Sequence, residues 1–188
     1  AWTENASLAI KDADASAYYS STFRVFLDFM AGLLGLIISS SPILFAVLIK
    51  GDYSDAYAQM TILFAASFFS CISGFLGGIY LAFKDMKRVA VTTMETAVCN
   101  LAVNLVLIKF IGLYAASLST LVSYIVVVAI RMRDVQKMTD IKYDYKHIAL
   151  IVLVMSLEAG LCFMRNNILN VINALIGITF FIVLNKKI

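Results

Sequence analysis

A chain of 188 residues that is 62% hydrophobic and 14% charged lies outside the range of soluble domains, which run nearer half apolar and a quarter charged. A net charge of +3 gives no reason to expect nucleic acid, and the three cysteines sit apart in apolar runs with no CxxC or partner histidine, which argues against a metal or redox centre. The apolar stretches are continuous rather than alternating at period 2, which argues against strands and a barrel; many reach the roughly 20 residues a helix needs to cross hydrocarbon, so the expected class is all-α integral membrane.

In chain order, residues 1–21 come first. Residue 1 is Ala, and the segment lacks the basic start, apolar core and small-residue cleavage site of a signal peptide, so the chain reads as a piece of something longer. Trp2, Leu8, Ile10, Tyr18 and Tyr19 are interleaved with Glu4, Lys11, Asp12 and Asp14, a pattern suited to an amphipathic helix lying along the headgroups. A six-helix transmembrane bundle over 22–188 follows, with spans near 22–49, 56–83, 89–110, 113–131, 147–163 and 168–184. Polar breaks separate them: KGDYSD, KDMKR, the single Gly112, a solvated connector over 131–146, and MRNN. With residue 1 on the cytoplasmic side, that side collects 12 of the 15 Lys and Arg residues and leaves Lys50, Lys109 and Arg165 outside. Such a bias predicts that both ends of the chain are cytoplasmic.

The polar residues within the spans are the candidate functional groups, because a charge or carboxamide in hydrocarbon must face protein or water. In the first span Asp28 lies four residues after Arg24, the spacing of a local ion pair. Pro42, after three serines, deletes the backbone bond to the Ile38 carbonyl; a kink or hinge is expected, with the serine hydroxyls serving the freed group. Ser70, Gly74 and Gly78 recur at every fourth position and read as a groove for a neighbouring helix. Glu95 is about two turns into the third span, and Asn100 and Asn104 continue down that helix. With Gly112, Ala115, Ala116, Ser117 and Thr120 opening the next span, this stretch predicts a hairpin that either lines a watery cavity or joins its helices by hydrogen bonds. Glu158 lies mid-span, where its carboxyl has to be protonated or paired with a cation, and with Arg165, Asn166, Asn170 and Asn173 it forms either a polar outer vestibule or an ordinary helix end. No catalytic constellation is present: the one histidine, His147, sits at an interface, and neither GxSxG nor HExxH occurs, so an enzyme is not expected.

Taken together, AWTENA, AYYSSTF, SPILFAVLIKGDYSDAYAQMTILFAASFF, and the series Asn100, Asn104, Leu107, Ile108, Gly112, AAS and Thr120 resemble the polysaccharide-repeat flippases of the multidrug/oligosaccharidyl-lipid/polysaccharide exporter superfamily. The resemblance covers nearly the whole chain, and individual motifs are loose. It implies two pseudosymmetric lobes around a central cavity in the bacterial inner membrane. There, a lipid-linked (undecaprenyl-diphosphate) oligosaccharide moves from the cytoplasmic to the outer leaflet by alternating access. On that pattern residues 1–21 begin with the end of a preceding helix, the six spans form most of one lobe, and the amino-terminal lobe is missing. The implied partners are membrane lipid, the lipid-linked oligosaccharide, that missing lobe, and polymerase and other polysaccharide-assembly proteins. Asn100, Asn104 and Thr120 are the candidates for sugar contact, and Arg24, Lys84 and Arg88 for attracting the diphosphate. Glu95 is the candidate for coupling to a proton or sodium gradient, with no other cofactor expected. The alternatives are a drug/cation antiporter or lipid II flippase of the same superfamily, and a non-transporting membrane scaffold using the basic, tyrosine-containing segment 131–146.

Overall fold

The computed structural model describes residues 2–10, 12, 14–48, 54–164 and 166–186, and every ordered element in it is helical. The helices are α1 (Trp2–Ala9), α2 (Ala15–Leu48), α3 (Ser54–Ala82), α4 (Met86–Ile111), α5 (Tyr114–Thr139), α6 (Tyr145–Phe163) and α7 (Asn167–Asn185). Six of them, α2 to α7, are long and apolar enough to cross a membrane, and the protein is a multi-pass membrane protein. Their ends are set by local chemistry. Asp85 caps α4 by accepting the Arg88 N–H at 3.1 Å, Asp144 caps α6 through the His147 N–H at 3.1 Å, and Asn166 caps α7 through the Ile168 N–H at 2.9 Å. The α3 helix closes with the Asp85 N–H on the Tyr80 carbonyl and the Lys84 N–H on the Leu81 carbonyl, a Schellman turn that holds Lys84 at φ 60°. Gly112, at φ 54°, makes the tight α4–α5 turn, a conformation that suits glycine.

The chain divides into two compact units, one of Ala1–Val25 with Phe69–Tyr143, the other of Phe26–Phe68 with Asp144–Ile188. In the first, aromatic rings build the core. Trp2 stacks on Phe75 with centroids 4.2 Å apart, Phe23 meets Phe75 edge-on at 5.6 Å, and Tyr143 meets Phe23 at 5.1 Å. The Trp2 indole donates to the Phe75 carbonyl at 3.1 Å and lies over Gly78, while Ala6 and Ala9 are buried. Thus α1 is tied into the unit by its indole. A free headgroup helix would leave Ala6 and Ala9 to water or lipid.

One boundary differs markedly from expectation. The fourth span was expected to end at Arg131 and give way to a solvated connector, but α5 runs two further turns to Thr139. The extension is held by tertiary contacts: Val135 is fully buried, and Asp134 accepts from Tyr80 and pairs with Arg88 at 3.3 Å. The segment after it is docked too. Ser16 Oγ donates to the Asp140 carbonyl at 2.7 Å, the Lys142 N–H donates to Ser20 Oγ at 2.9 Å, and Ile141 is buried.

In the second unit glycines let helices approach. A Cβ on Gly32 or Gly35 of α2 would collide with α7 side chains, and one on Gly177 of α7 would collide with Ser39. The expectation for Pro42 holds at the level of hydrogen bonds. The α2 helix continues through the proline, and the freed Ile38 carbonyl accepts Ser41 Oγ at 2.7 Å and Cys162 Sγ at 3.2 Å. Asp28 is met by a partner from another helix, His147 Nε2 of α6 at 2.5 Å, where the sequence suggested Arg24. Large apolar side chains such as Val98, Leu105, Leu153, Leu175 and Ile182 face outward, as hydrocarbon-facing residues do.

Candidate functional site

The α4–α5 hairpin is stitched by the predicted polar residues. Asn100 Nδ2 donates to Thr120 Oγ1 at 3.2 Å and lies 3.4 Å from Ser123 Oγ; Asn104 Nδ2 lies 3.4 Å from Ser119 Oγ. Because 100 and 104 are one turn apart, both carboxamides fall on the α4 face that looks at α5. That same face carries Thr93, Thr96, Ala97 and Leu101 and borders a cavity of about 790 Å³. The α5 wall supplies Thr120, Ser123, Tyr124 and Arg131, and the α3 wall supplies Ser70, Ser73 and Gly74. All of these belong to the first unit.

Arg131 is the one charged residue among the lining side chains, and it is 94% buried, its relative exposure being 6%. Its guanidinium is held in a fixed pose by neutral oxygens. Nη1 donates to the Ser73 carbonyl at 2.8 Å, Nη2 to Thr92 Oγ1 at 2.9 Å and Thr93 Oγ1 at 3.1 Å, and Nε to Thr92 Oγ1 at 3.1 Å. Gly77 makes room for it, since a Cβ there would sit 2.8 Å from Nη1, and the Tyr80 ring lies 6.0 Å from the guanidinium carbon. A buried cation with only neutral partners keeps most of its positive field, which makes it a ready site for an anion. The rest of the wall offers hydroxyls and carboxamides, groups that both donate and accept, as sugar hydroxyls require.

The structure brings Asn100, Asn104 and Thr120 together and leaves Glu95 out. Glu95 is five residues before Asn100, half a turn out of register, and is exposed beside Met94 and Val98 on the outer side of α4. Of the three basic residues assigned to phosphate, Arg88 is engaged by Asp85 at 2.9 Å and Asp134 at 3.3 Å, Lys84 is the exposed turn residue closing α3, and Arg24 is exposed on α2. None of the three lines the cavity. The proposed outer vestibule of Glu158, Arg165 and Asn170 is also revised: Glu158 is fully buried, Asn170 Oδ1 is enclosed, and Arg165 lies outside the described residues. Burial of the carboxyl follows from its position on the α6 face that carries Ile151, Met155 and Cys162.

Arg131 escaped the sequence reading because it stood at the assumed end of its span, where the positive-inside rule already explained a cation. Its register was the missed signal. Thr120, Ser123, Tyr124 and Arg131 recur at helical spacing, which puts the arginine on the polar face of α5. Ser70 and Gly74 were likewise assigned to helix packing, whereas they border the cavity; Gly78 alone receives a neighbour, the Trp2 indole.

Compared with protein-family models, with curated proteins and with solved structures, the chain finds no match.

Proposed function

We propose that this chain belongs to a membrane transporter for a lipid-linked oligosaccharide, undecaprenyl-diphosphate-linked in the bacterial inner membrane, with the cavity of the first unit as part of its substrate path. The observation that carries this reading is the pairing of a buried arginine with a wall of carboxamides and hydroxyls. Arg131 meets the phosphate charge, and Asn100, Asn104, Thr120 and Ser123 exchange hydrogen bonds with sugar hydroxyls. A cationic drug is disfavoured, because the only charge among the described lining residues is positive. A scaffold has no need of a polar cavity between membrane-spanning helices, where each unsatisfied group is costly. Glu95, on the opposite face of α4, has no part in the proposal. The charge bias of the loops supports an orientation with both chain ends cytoplasmic.

Genetic complementation tests the reading. Cells lacking the protein should lose surface polysaccharide and accumulate the lipid-linked intermediate, and wild type but not Arg131→Met should restore both. Normal surface polymer in cells without the protein would sink the proposal. So would maleimide-labelling data in which cysteines placed at Ala97 and Leu101 are shielded from water-soluble reagents, since a transport path has to be wet.

A further inference from the structure

The second unit holds a buried carboxyl that the cavity does not use. Glu158, in the middle of α6, is fully buried, and neither of its oxygens has a hydrogen-bond partner. On the α2 side it packs against Gly35, where a Cβ would come 2.9 Å from Oε2, and the Phe180 ring of α7 occupies the same space. The polar groups around it have spent their donors elsewhere. Asn173 Nδ2 gives its two hydrogens to the Glu158 backbone carbonyl at 3.0 Å and to Cys162 Sγ at 3.3 Å. Ser41 Oγ donates to the Ile38 carbonyl and Ser39 Oγ to the Leu36 carbonyl. What remains in this cluster is acceptors: both Glu158 oxygens and Asn173 Oδ1.

The titratable groups around it do not compensate. On α6 the neighbour is Cys162, one turn on; α3 contributes Tyr57, whose hydroxyl donates to the Cys162 carbonyl at 3.1 Å; the α2 residue against Glu158 is Gly35, and the α2 carboxylate Asp28, two turns away, is bound to His147 of α6. The residues from α7 at this site are Asn173 and Phe180, neither of them titratable. Among the described residues an ionised carboxylate here would have no cation and no donor, the costliest way to bury a polar group, whereas one proton removes the charge and supplies the missing O–H donor. A proton also fits the space: a metal ion would need several oxygen ligands, and no group of three His, Cys, Asp or Glu side chains converges among the described residues.

We propose that Glu158 is a reversible proton-binding site, loaded while α2, α6 and α7 are packed around it and emptied to water when they part. Loading is the reaction of carboxylate with one proton from water, so the packed and parted states of this bundle differ by one bound proton. The Ile38 carbonyl freed by Pro42, held only by the Ser41 and Cys162 side chains, gives α2 a place to yield beside the site. The proposal stands independently of the transport reading, because its readout is proton occupancy.

Infrared spectroscopy of the full chain in lipid nanodiscs, with ¹³C-carboxyl glutamate, reads that occupancy directly. The chain has three glutamates, Glu4, Glu95 and Glu158, and the first two are exposed. At neutral pH a protonated-carboxyl carbonyl band is expected in wild type and in Glu95→Gln and is lost in Glu158→Gln. Should Glu158→Gln fail to fold, the Glu95→Gln spectrum decides, since a protonated band there at neutral pH belongs to Glu158. No protonated band in Glu95→Gln, or an unchanged band in folded Glu158→Gln, overturns the proposal. Hydrogen exchange of α6 and α7, corrected for intrinsic rate, gives the coupled opening. Protection should fall as the band titrates away in wild type and stay flat in Glu158→Gln; parallel pH responses in the two proteins would refute the link.

Discussion

Replacing Arg131 by methionine separates an arginine kept for the fold from one kept for an anion. Four donor contacts of 2.8 to 3.1 Å would be lost. Before desolvation is counted, at about 5 kcal/mol each, they amount to roughly 20 kcal/mol gross. Against this stands the desolvation of a guanidinium that is 94% buried with no carboxylate among its contacts, a gross penalty on the order of 20 kcal/mol that methionine does not incur. The partners left behind are not orphaned. Thr92 Oγ1 still donates to the Arg88 carbonyl at 2.8 Å, Thr93 Oγ1 still donates to the Val89 carbonyl at 2.7 Å, and the Ser73 carbonyl lies inside a helix. The net change should therefore fall within about 2 kcal/mol of zero, or less than about 8 °C in Tm for a chain of this size. Scanning fluorimetry in detergent checks the fold, and surface-polysaccharide complementation checks the activity. The expected result is a folded Arg131→Met that does not complement. Full complementation by Arg131→Met would refute the anion-site argument, and collapse of the folded yield with methionine alongside full activity with Arg131→Lys would reduce the residue to a structural cation.

Other substitutions probe the supports of the site. Gly78→Ala places a Cβ 2.5 Å from the Trp2 indole nitrogen and should lift Trp2 off Phe75; because Trp2 is the chain's one tryptophan, a red shift and loss of intrinsic fluorescence structure report it directly. Asn100→Leu with Asn104→Leu removes four long interhelical contacts of 3.2 to 3.5 Å, which at about 0.6 kcal/mol apiece in a bilayer should cost only about 2 kcal/mol of thermal stability while abolishing complementation. His147→Ala leaves the Asp28 carboxylate without its α6 donor and should lower stability by about 1–3 kcal/mol, with Asp28→Asn recovering part of the loss in the double variant; simple additivity of the two would show that the contact carries no energy.

The helices were legible because lipid enforces the rule the sequence displays: an unbroken apolar run has to be a helix, and polar caps mark its ends. Gly112 and the polar breaks KDMKR and MRNN placed the helix ends they flank to within about three residues. The same rule failed at Arg131, because a helix leaving the hydrocarbon is no longer constrained by hydropathy. What extends α5 to Thr139 is the burial of Val135 and the Asp134 contacts to Tyr80 and Arg88, which are tertiary and invisible in a local window. Asn100, Asn104 and Thr120 were found because their spacing alone fixes a face. Glu95 was grouped with them by proximity in sequence, although five residues turn it to the far side of the helix. Glu158 and Asp28 show the converse limit. A buried carboxyl can be recognised as costly from the sequence, but whether the cost is met by His147 or by a proton depends on which helix packs opposite.

The α4–α5 hairpin was left with two readings, packing or binding, and its geometry removes the need to choose. Its interhelical contacts, at 3.2 to 3.5 Å, are longer than the 2.6 to 2.8 Å bonds that the neighbouring Thr96 and Thr120 hydroxyls make to their own backbone. An asparagine side chain has two donors and an acceptor oxygen with two lone pairs; Asn104 spends one donor on a single long contact, and the three contacts of Asn100 are all 3.2 Å or longer. Residues that only locked two helices together would gain by burial, yet Asn100 and Asn104 are half-buried at the cavity edge. Weak contacts to α5 hold the carboxamides in place at little cost and can be exchanged for a substrate hydroxyl with little loss. Arg131 follows the same logic with a charge: its neutral partners fix the guanidinium without neutralising it. A wall of groups that are positioned but not saturated is what a site needs when it must bind a large polar substrate and then release it.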